Sequence, residues 1–333
     1  MGSSTAAESG ANDAFLAAFR ERSGSENRLR YSEFVQLALY HPTLGYYQQG
    51  RPRVGYGRGT DFYTASTSGA IFGELIVDAV ASLLAEHGAR PEHTTFVEIG
   101  AEPGTGVLRD VPHPFAAART LRLGDPLKVE GPCVVFSNEL FDAQPFDRYV
   151  READGWHEIL VELREGRLTE TTDRLAETPD WLPADVPTGY HFDAPRQAAD
   201  LARTIAAQPW SGLFVAFDYG KRWAELAADT PAGTARAYVQ HRQSNDLLAQ
   251  PGAQDLTCHV CWDWLAEALT GHGFTMAPVL PQEAFLVTHA SGQLSAIMAA
   301  ESGHLSQRKL SLMQLLHPAH LGQKFQVLYG WRS

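Results

Sequence analysis

Two stretches of this chain read as buried strands that end in polar residues, and they constrain the fold more than any other feature. The first strand, Thr95–Ile99, runs into a glycine-rich turn at Gly100–Gly106. The second, Val134–Phe136, runs into the polar segment Asn138–Pro145. Short apolar runs without alternation are typical of strands buried in a parallel sheet. Parallel sheets bind ligands at the carboxyl ends of their strands, so we expect both polar segments to lie at one edge.

Strand and helix patterns alternate along the rest of the chain, which predicts an α/β fold with a doubly wound sheet and added lobes. Helical spacing covers Phe34–Tyr40, which should stop before His41-Pro42, and Ile71–His87. Alternation over Asp147–Leu168 predicts an inserted β-hairpin with Glu165-Gly166 at its turn. Further predicted elements are helices at Pro195–Ala207 and Trp262–His272 and strands at Gly212–Asp218, Gln282–His289 and Phe325–Gly330.

Residues that break these patterns divide the chain into three segments. Residues 1–13 are small and polar, so we expect a flexible terminus. Residues 14–93 form a predicted helical lobe with a loop rich in Gly, Arg and Pro. Residues 94–333 form the predicted α/β core with its insertions.

Composition bounds the class of protein and its partners. With 333 residues, 44% of them hydrophobic, the chain can bury the core of one large domain or of a domain plus a lobe. No apolar run approaches the roughly 20 residues that cross a bilayer, and the start lacks a signal-peptide pattern. We therefore expect a cytoplasmic protein with no membrane partner. The net charge of −12 argues against a nucleic-acid partner and is compatible with a basic, arginine-bearing one.

Three cysteines are too few for a disulfide framework. Cys258-His259-Val260-Cys261 has the spacing of half a zinc site, but no second Cys or His pair completes four ligands. Cys133 stands alone beside a predicted strand. We interpret all three as reduced core thiols and expect no metal.

Three motifs near the amino terminus carry a resemblance to a known family. They are a hydrophobic ALYHPTLGYY segment at Ala38–Tyr47, a GTDFYT loop at Gly59–Thr64 and an FGE helix start at Phe72–Glu74. On these motifs the chain is identified as a member of the MidA family, also called DUF185. The resemblance spans about Arg30 to Val327. Further matches, in the family's order, are Asn138–Pro145, Phe217–Gly220, His241, Pro251–Thr257 and Gln282–Leu286.

The resemblance implies a class I, Rossmann-like methyltransferase sheet with an inserted β-hairpin and a helical amino-terminal lobe. It implies S-adenosylmethionine as the cofactor and, since the family includes the mitochondrial complex I assembly-factor arginine methyltransferase, a protein arginine as the acceptor. In the family's pattern the acid at Glu98 faces the cofactor. The loop that contains Asp61 and Thr64 folds over the cofactor. In the alternative, Asp61 only starts a turn. Gly100 and Gly104 allow the backbone to approach the cofactor, unless they merely form a tight connection.

The segment that starts at Asn138-Glu139 is the candidate for the acceptor side. A guanidinium is planar, always charged and rich in donors, so holding it requires nearby carboxylates. Glu139 and Asp142 are three residues apart and would share a face if the segment turned helically. In the alternative, Asn138 caps a helix and Asp142 lies in its first turn, near the positive end of the dipole.

Four later residues are weaker candidates. Asp218 ends a third predicted strand and either faces the same cleft or is a turn residue, while the neighbouring Tyr219 is suited to lining an acceptor channel. His241 is a natural proton acceptor near neutral pH, and a surface histidine is its alternative. Asp255 either orients His241 or caps the segment that follows it.

Two departures from the family bear on cofactor binding. Glu102 stands where the family's turn has a glycine, and its carboxylate would repel that of the cofactor. Only 27 residues separate Gly106 from Val134, and four prolines interrupt them, so we expect one short strand near Thr120–Leu123 and no full helix. The acid that binds the ribose hydroxyls would then have to be Asp125.

These departures leave two hypotheses: a working methyltransferase that acts on nitrogen, or a degenerate relative that serves as a binding or assembly protein. The missing crossover helix would also uncover apolar sheet surface. Ile71–His87 or the hairpin could cover it from the same chain, or a second copy could cover it in a homodimer. The apolar stretch Leu310–Leu316 would suit either arrangement.

Overall fold

The structure is a computed structural model that describes residues 2–48, 69–239, 242–301 and 306–333. Several helices bury one apolar face, as those at Tyr31–Tyr40 and Ala70–Glu86 do. The α-helices of the described residues are α1 (Gly2–Ser23), α2 (Tyr31–Tyr40), α3 (Ala70–Glu86), α4 (Arg196–Ala206), α5 (Trp223–Ala228), α6 (Trp262–Thr270), α7 (Gln282–His289), α8 (Ser291–Ala300) and α9 (Gln307–Leu316).

The central strands of the sheets fall where the sequence is apolar or alternates, as in Gly131–Asn138, Gly155–Arg164 and Trp210–Asp218. They are β1 (Arg28–Arg30), β2 (Thr95–Ile99), β3 (Ala117–Leu121), β4 (Gly131–Asn138), β5 (Asp147–Glu152), β6 (Gly155–Arg164), β7 (Arg167–Arg174), β8 (His191–Ala194), β9 (Trp210–Asp218), β10 (Gly220–Lys221), β11 (Arg236–Val239), β12 (Arg242–Ser244), β13 (Asp255–Thr257), β14 (Val260–Cys261), β15 (Thr275–Met276), β16 (Leu280–Pro281) and β17 (Gln326–Arg332).

The chain divides into two compact units, each built from separate stretches of sequence. The hairpin unit comprises residues 1–62, 142–198 and 221–261, and the sheet unit comprises residues 63–141, 199–220 and 262–333. This differs from the predicted division at residue 93, because the chain leaves the sheet at the ends of β4 and β9 to build the other unit. Helix α1 also occupies most of the segment that we expected to be flexible.

The sheet unit contains one sheet in the order β15–β17–β9–β4–β2–β3, with β16 also paired to β17. The strands β3, β2, β4 and β9 run parallel, and β17 runs antiparallel to β9. Ile99 pairs with Ser137, and Asn138 pairs with Phe217. The ends of β2, β4 and β9 therefore lie at one edge, which confirms that the two polar segments share it.

One face of this sheet is covered by helices of the same unit. Side chains of α3, α7, α8 and α9 join those of β2, β4 and β9 in one apolar core. The predicted helix Ile71–His87 is thus confirmed as α3, and it supplies cover from within the chain. Leu312 and Leu315, in the apolar stretch near the carboxyl terminus, take part in that cover.

The hairpin unit contains an antiparallel sheet in the order β1–β6–β5–β8, with β7 paired to β6. The predicted turn is confirmed: Glu165 and Gly166, with φ of 51° and 77°, join β6 to β7. Two consecutive residues of positive φ are typical of the tight turn that matches the twist of a hairpin. Helices α1 and α2 pack in the same core as Phe146 and Val161. A second antiparallel sheet has the order β12–β11–β13.

One predicted strand is wrong. Gln282–His289 forms the helix α7, in which Phe285, Leu286 and His289 are buried at helical spacing. The apolar run that contains these residues is too short for its periodicity to separate helix from strand. Among the described residues, none of the helices is both long and apolar enough to cross a membrane.

Candidate functional site

Glu98 lies one residue before the end of β2 and fastens the glycine-rich turn to that strand. Its side chain is buried, and Oε2 accepts a hydrogen bond from the backbone N–H of Val107 at 2.8 Å. Burial raises the pKa of Glu98 to about 7, although the N–H of Val107 and the charge of Arg122 act in the opposite direction. The turn therefore folds back over a carboxyl group that titrates near neutral pH.

Gly100 brings the ends of β2 and β4 into contact. Its φ is 89°, and a Cβ placed on it would lie 2.7 Å from Cδ1 of Leu140, which belongs to the segment after β4. Its N–H donates to the carbonyl of Leu121 at the end of β3. Only glycine combines this conformation with this close approach. Gly104, with φ of 77°, is the second residue of the turn that requires glycine.

Glu102 and Asp125 each take part in a local turn. The carbonyl oxygen of Glu102 accepts hydrogen bonds from the N–H and the hydroxyl of Thr105, at 3.0 and 2.9 Å. Asp125 is exposed, and its Oδ2 accepts the N–H of Arg122 at 2.8 Å. Asp125, the predicted ribose ligand, thus closes the turn that follows β3.

Glu139 is the most strained residue of the edge. It has a φ of 52°, a conformation that costs a residue with a side chain about 1–2 kcal/mol. Its N–H donates to the carbonyl of Phe217 at 3.0 Å, and its Oε1 accepts from Nδ2 of Asn138 at 2.9 Å. The buried Oδ1 of Asn138 has no hydrogen-bond partner among the residues that the structure describes. Strain and an unsatisfied buried polar atom in one turn are typical of functional positions.

Asp218 supports this turn from the end of β9. Its side chain is fully buried, Oδ2 accepts the N–H of Phe141 at 2.8 Å, and Oδ1 accepts the N–H of Tyr219 at 2.8 Å. A buried carboxylate that accepts two backbone N–H groups holds both segments in place. The ring of Tyr219 packs on Phe325, with 4.1 Å between the ring centroids. Asp218, a candidate catalytic residue from its place at the end of a predicted strand, thus makes bonds that position the turn after β4.

The segment after Asn138 does not turn helically, so the condition under which Glu139 and Asp142 would share a face is not met. The segment that follows β4 consists of bends and turns, and the N–H groups of Glu139 and Phe141 donate to Phe217 and Asp218 of β9. Glu139 and Asp142 therefore do not share the face of a helix. Asp142 begins the next stretch of the hairpin unit, where it is buried and its carbonyl accepts the N–H of Cys258 at 2.9 Å.

Asp255 lies in the hairpin unit and is bonded to a tyrosine of the first family motif. The hydroxyl of Tyr47 donates to Oδ1 of Asp255 at 3.1 Å. Burial raises the pKa of Tyr47 well above its ordinary value, and the charge of Asp255 adds to this. The other candidates Asp61, Thr64 and His241 lie outside the described residues.

The cysteines are buried: Cys133, Cys258 and Cys261. Burial raises the pKa of the Cys258 thiol well above its ordinary value, so the thiol stays protonated. Within the described residues, no group of three or more His, Cys, Asp or Glu side chains could hold a metal ion.

A cavity of about 350 Å³ lies beside β2 and β3. Its arginines are not part of any predicted motif, because they lie between Gly106 and Val134, where the chain departs from the family's pattern. The signal was available: Arg109, Arg119 and Arg122 fall in that stretch, in a chain of net charge −12. The lining residues are Phe96, Glu98, Gly104, Thr105, Gly106, Leu108, Arg109, Ala118, Arg119, Thr120 and Arg122.

Comparison with known proteins identifies similar families and folds. The model of a family whose members are inferred to be S-adenosyl-L-methionine-dependent methyltransferases matches residues 120–279. The chain is 22% identical to the mitochondrial protein arginine methyltransferase NDUFAF7 of Danio rerio, over 89% of this chain and 81% of the relative. It is also 22% identical to the Homo sapiens protein of that name, over 90% of this chain and 79% of the relative.

Two solved structures share the fold over nearly the whole chain. A COG1565 superfamily protein of Burkholderia thailandensis, a methyl transferase candidate crystallised with S-adenosyl-homocysteine, superposes with a TM-score of 0.85 at 24% identity. The alignment covers 97% of this chain and 93% of that one. A native structure of a COG1565 protein from the same organism has a TM-score of 0.80 at 23% identity, over 97% and 92%. The predicted class I methyltransferase fold is confirmed.

Proposed function

Because this chain belongs to the MidA (DUF185) family of S-adenosylmethionine-dependent methyltransferases, we propose that it methylates a nitrogen atom of an arginine guanidinium in a protein. Family membership supports the cofactor and the reaction. The relatives named as protein arginine methyltransferases support the acceptor. The observation that carries the proposal is the edge of the sheet unit, where the glycine-rich turn contacts the strained turn at Glu139 through Gly100 and Leu140.

The residues at the end of β2 fit the cofactor. Gly100 and Gly104 present backbone without side chains, and Glu98 is a buried acid beside them. These residues would hold the amino-acid end of the cofactor. When bound, S-adenosylmethionine supplies an electrophilic methyl group on a sulfonium cation. A cation near Glu98 would lower the pKa of that carboxyl from about 7 towards its ordinary range and keep it ionised.

The residues at the end of β4 suit a guanidinium. A guanidinium that gains a methyl group on nitrogen has to lose a proton from that nitrogen, so the acceptor side requires a base. The carboxylate of Glu139 is positioned to bind the N–H groups by charge-assisted hydrogen bonds and to accept that proton. Asn138 holds Oε1 of Glu139, and its own buried Oδ1 is suited to one further donor. Asp218 fixes the turn that presents both side chains.

The remaining candidates extend the proposal. Asp61 and Thr64 are assigned to the cofactor's polar end, as the family resemblance implies. His241 is assigned to proton transfer, because histidine is a natural proton acceptor near neutral pH. Asp142 is assigned to the acceptor side. We further propose that the protein acts in the cytoplasm.

The proposal is tested by binding and by transfer. Calorimetric titration of the full chain with S-adenosylmethionine should show binding. Synthetic peptides that each contain one arginine should gain the mass of one methyl group when incubated with protein and cofactor, whereas copies with lysine in its place should not. Binding with equal methylation of the lysine copies would refute the arginine assignment. Failure to bind the cofactor would favour the second hypothesis, a methyltransferase-fold binding or assembly protein, for which the engagement of Asp125 in a local turn with Arg122 is the supporting observation.

We also propose a homodimer, as the sequence predicted, although the helices of the sheet unit already cover one face of the sheet. Large exposed apolar side chains on α7 to α9 support it, among them Val287, Met298 and Met313, each more than half exposed. Light scattering at low micromolar concentration should give twice the chain mass of 36.5 kDa. A mass near that of one chain would contradict the dimer.

A further inference from the structure

The connection between β7 and β8 in the hairpin unit is long and irregular. Residues 175–190, all of which the structure describes, contain no helix or strand. Connections longer than about 12–15 residues without secondary structure are uncommon in compact domains, and ordered ones usually have a function. Three prolines restrict the backbone of this connection, Pro179, Pro183 and Pro187.

Hydrogen bonds fasten the connection to the strands of the hairpin unit. Nε1 of Trp156 on β6 donates to the carbonyl of Pro183 at 3.1 Å. The N–H of Gly189 donates to the carbonyl of Arg151 on β5 at 2.7 Å. Because the backbone is already held in one conformation, a partner that binds here causes little further loss of conformational freedom.

The part of the chain that contains this connection holds more than half of the net negative charge. Residues 142–198 contain 13 Asp and Glu, six Arg and no Lys, a formal charge of −7 in a chain of net charge −12. The connection itself contains Glu177, Asp180 and Asp185 and no basic residue. All three side chains are exposed, and none of them has an ion pair within the described residues.

Most acids on the neighbouring strands of the hairpin unit, in contrast, are paired with arginines. They are Asp147, Glu158, Glu162, Glu170 and Asp173. The acids on the strands therefore contribute to the hairpin unit itself, whereas those on the connection leave a negative surface available to a partner.

A half-buried aromatic side chain follows Asp180 directly. The ring of Trp181 packs edge-on against that of Tyr149 on β5, with 5.4 Å between the ring centroids. The guanidinium carbon of Arg196 lies 5.2 Å from the centre of the Trp181 ring, so one arginine of the chain already makes a cation–π contact here. Tryptophan is also among the residues that contribute most to binding at protein surfaces. The connection thus combines an aromatic anchor with acids that have no ion pairs.

We propose that residues 175–190 form a docking surface for a basic segment of the protein substrate. Lysine and arginine side chains complement the charges of Glu177, Asp180 and Asp185, and an acidic segment would be repelled. The long apolar stems of lysine and arginine also suit packing beside Trp181. The identity of the partner as a substrate rests on the proposed function, in which a protein arginine is methylated.

Calorimetry on the full chain tests the docking surface without methyl transfer. The probe is a synthetic peptide that contains one arginine with three lysines on each side, and a copy with glutamine in place of every lysine is its neutral control. At low ionic strength the lysine peptide should bind at least about tenfold more tightly, the sum of a few exposed ion pairs. Its affinity should fall as salt is added, because salt screens exposed charges.

A triple acid variant locates the binding surface. Glu177→Gln, Asp180→Asn and Asp185→Asn together should weaken binding of the lysine peptide about tenfold and leave that of the glutamine peptide unchanged. Exposed positions such as these carry little risk to folding.

A triple control variant removes the same charge from the sheet unit. Glu92→Gln, Glu130→Gln and Glu267→Gln change three exposed acids of that unit. Because these positions lie outside the connection, the affinity for the lysine peptide should remain that of wild type.

Transfer kinetics separate docking from chemistry. In the triple acid variant the KM for methylation of the lysine peptide should rise about tenfold while kcat stays unchanged, because a docking surface binds ground state and transition state equally. If wild type binds the lysine peptide as expected but methylates neither peptide, the methyl-transfer proposal fails and the basic-segment surface is supported.

Two results would overturn the docking surface even if both peptides are methylated. The first is equal affinity of wild type for the lysine and glutamine peptides, or an affinity for the lysine peptide that the triple acid variant retains. The second is an equal loss of affinity in the triple control variant, which would assign the attraction to the net charge of the chain and not to this connection.

Discussion

The turns after β2 and β4 both contain residues of positive φ, but they use different residue types. Both turns need backbone of positive φ at the edge of the sheet, and after β2 it is supplied by Gly100 and Gly104, which adopt it without strain. After β4 it is supplied by Glu139, which is strained. A glycine at 139 would relieve that strain, so the glutamate is explained by its side chain. The first turn is therefore built for backbone approach, and the second for a carboxylate.

Glu165 makes the comparison sharper. It has nearly the same φ, 51°, but it lies exposed at the hairpin turn between β6 and β7, where that conformation is what the turn requires. Glu139 instead depends on Asp218 and on β9 to hold its turn. The same residue in the same backbone conformation is thus available as a matched control.

Removing the support from the second turn should have the largest effect on stability. Asp218→Asn places an amide N–H₂ against one of two backbone N–H donors, so the free energy of unfolding should fall by about 4 kcal/mol in urea titrations. Asp200→Asn changes a carboxylate on α4 that is 64% exposed. This control should lower the free energy of unfolding by less than about 0.5 kcal/mol. Equal stability of Asp218→Asn and wild type would show that the turn does not depend on this carboxylate.

The pH dependence of the free energy of unfolding tests the role of Glu98 at the first turn. The pKa of Glu98 is about 7 in the folded protein and 4.5 ordinarily, so its contribution to stability is fully present below pH 4.5 and is lost as the pH rises to about 7. Glu98→Gln cannot titrate. Its stability relative to wild type should therefore rise by about 3 kcal/mol across this window, as measured by urea unfolding at each pH.

Glu165→Gln, the exposed control, should run parallel to wild type at every pH. A difference in the free energy of unfolding between Glu98→Gln and wild type that stays constant across the window would contradict the raised pKa of the buried Glu98 carboxyl.

The shared edge of the sheet could be predicted from the sequence, but the contacts that hold its turns in place could not. Buried strands followed by polar residues are local patterns, so the alignment of Glu98 and Asn138 at one edge followed from them. The close approach of Gly100 to Leu140 and the bonds of Asp218 join segments far apart in the chain. No local pattern contains them.

Other differences have similar causes. The run around Phe285 is too short for its period to distinguish helix from strand, and packing beside α3 decided it. Asp125 stays a predicted ribose ligand, and its carboxylate also accepts the N–H of Arg122 three residues earlier. Competition from a local turn of this kind is common for aspartate.

Relief of backbone strain should change the free energy of unfolding least. It also distinguishes an effect on stability from an effect on methyl transfer. Glu139→Gly and Glu165→Gly should each gain about 1 kcal/mol in the free energy of unfolding, because glycine adopts positive φ without a steric cost. Methyl transfer should be lost only in Glu139→Gly. A less stable Glu139→Gly protein would show that the side chain has a structural role.

The rate of methyl transfer in Glu139→Gln tests the central claim most directly, since this change keeps the shape of the side chain and removes its charge. We predict a fall in turnover of at least about 100-fold, the scale of a lost general base, with a melting temperature within about 2 °C of wild type. Glu165→Gln should match wild type in both measurements. Wild-type turnover in Glu139→Gln, or a sharp drop in its melting temperature, would contradict the assignment of Glu139 to the acceptor side.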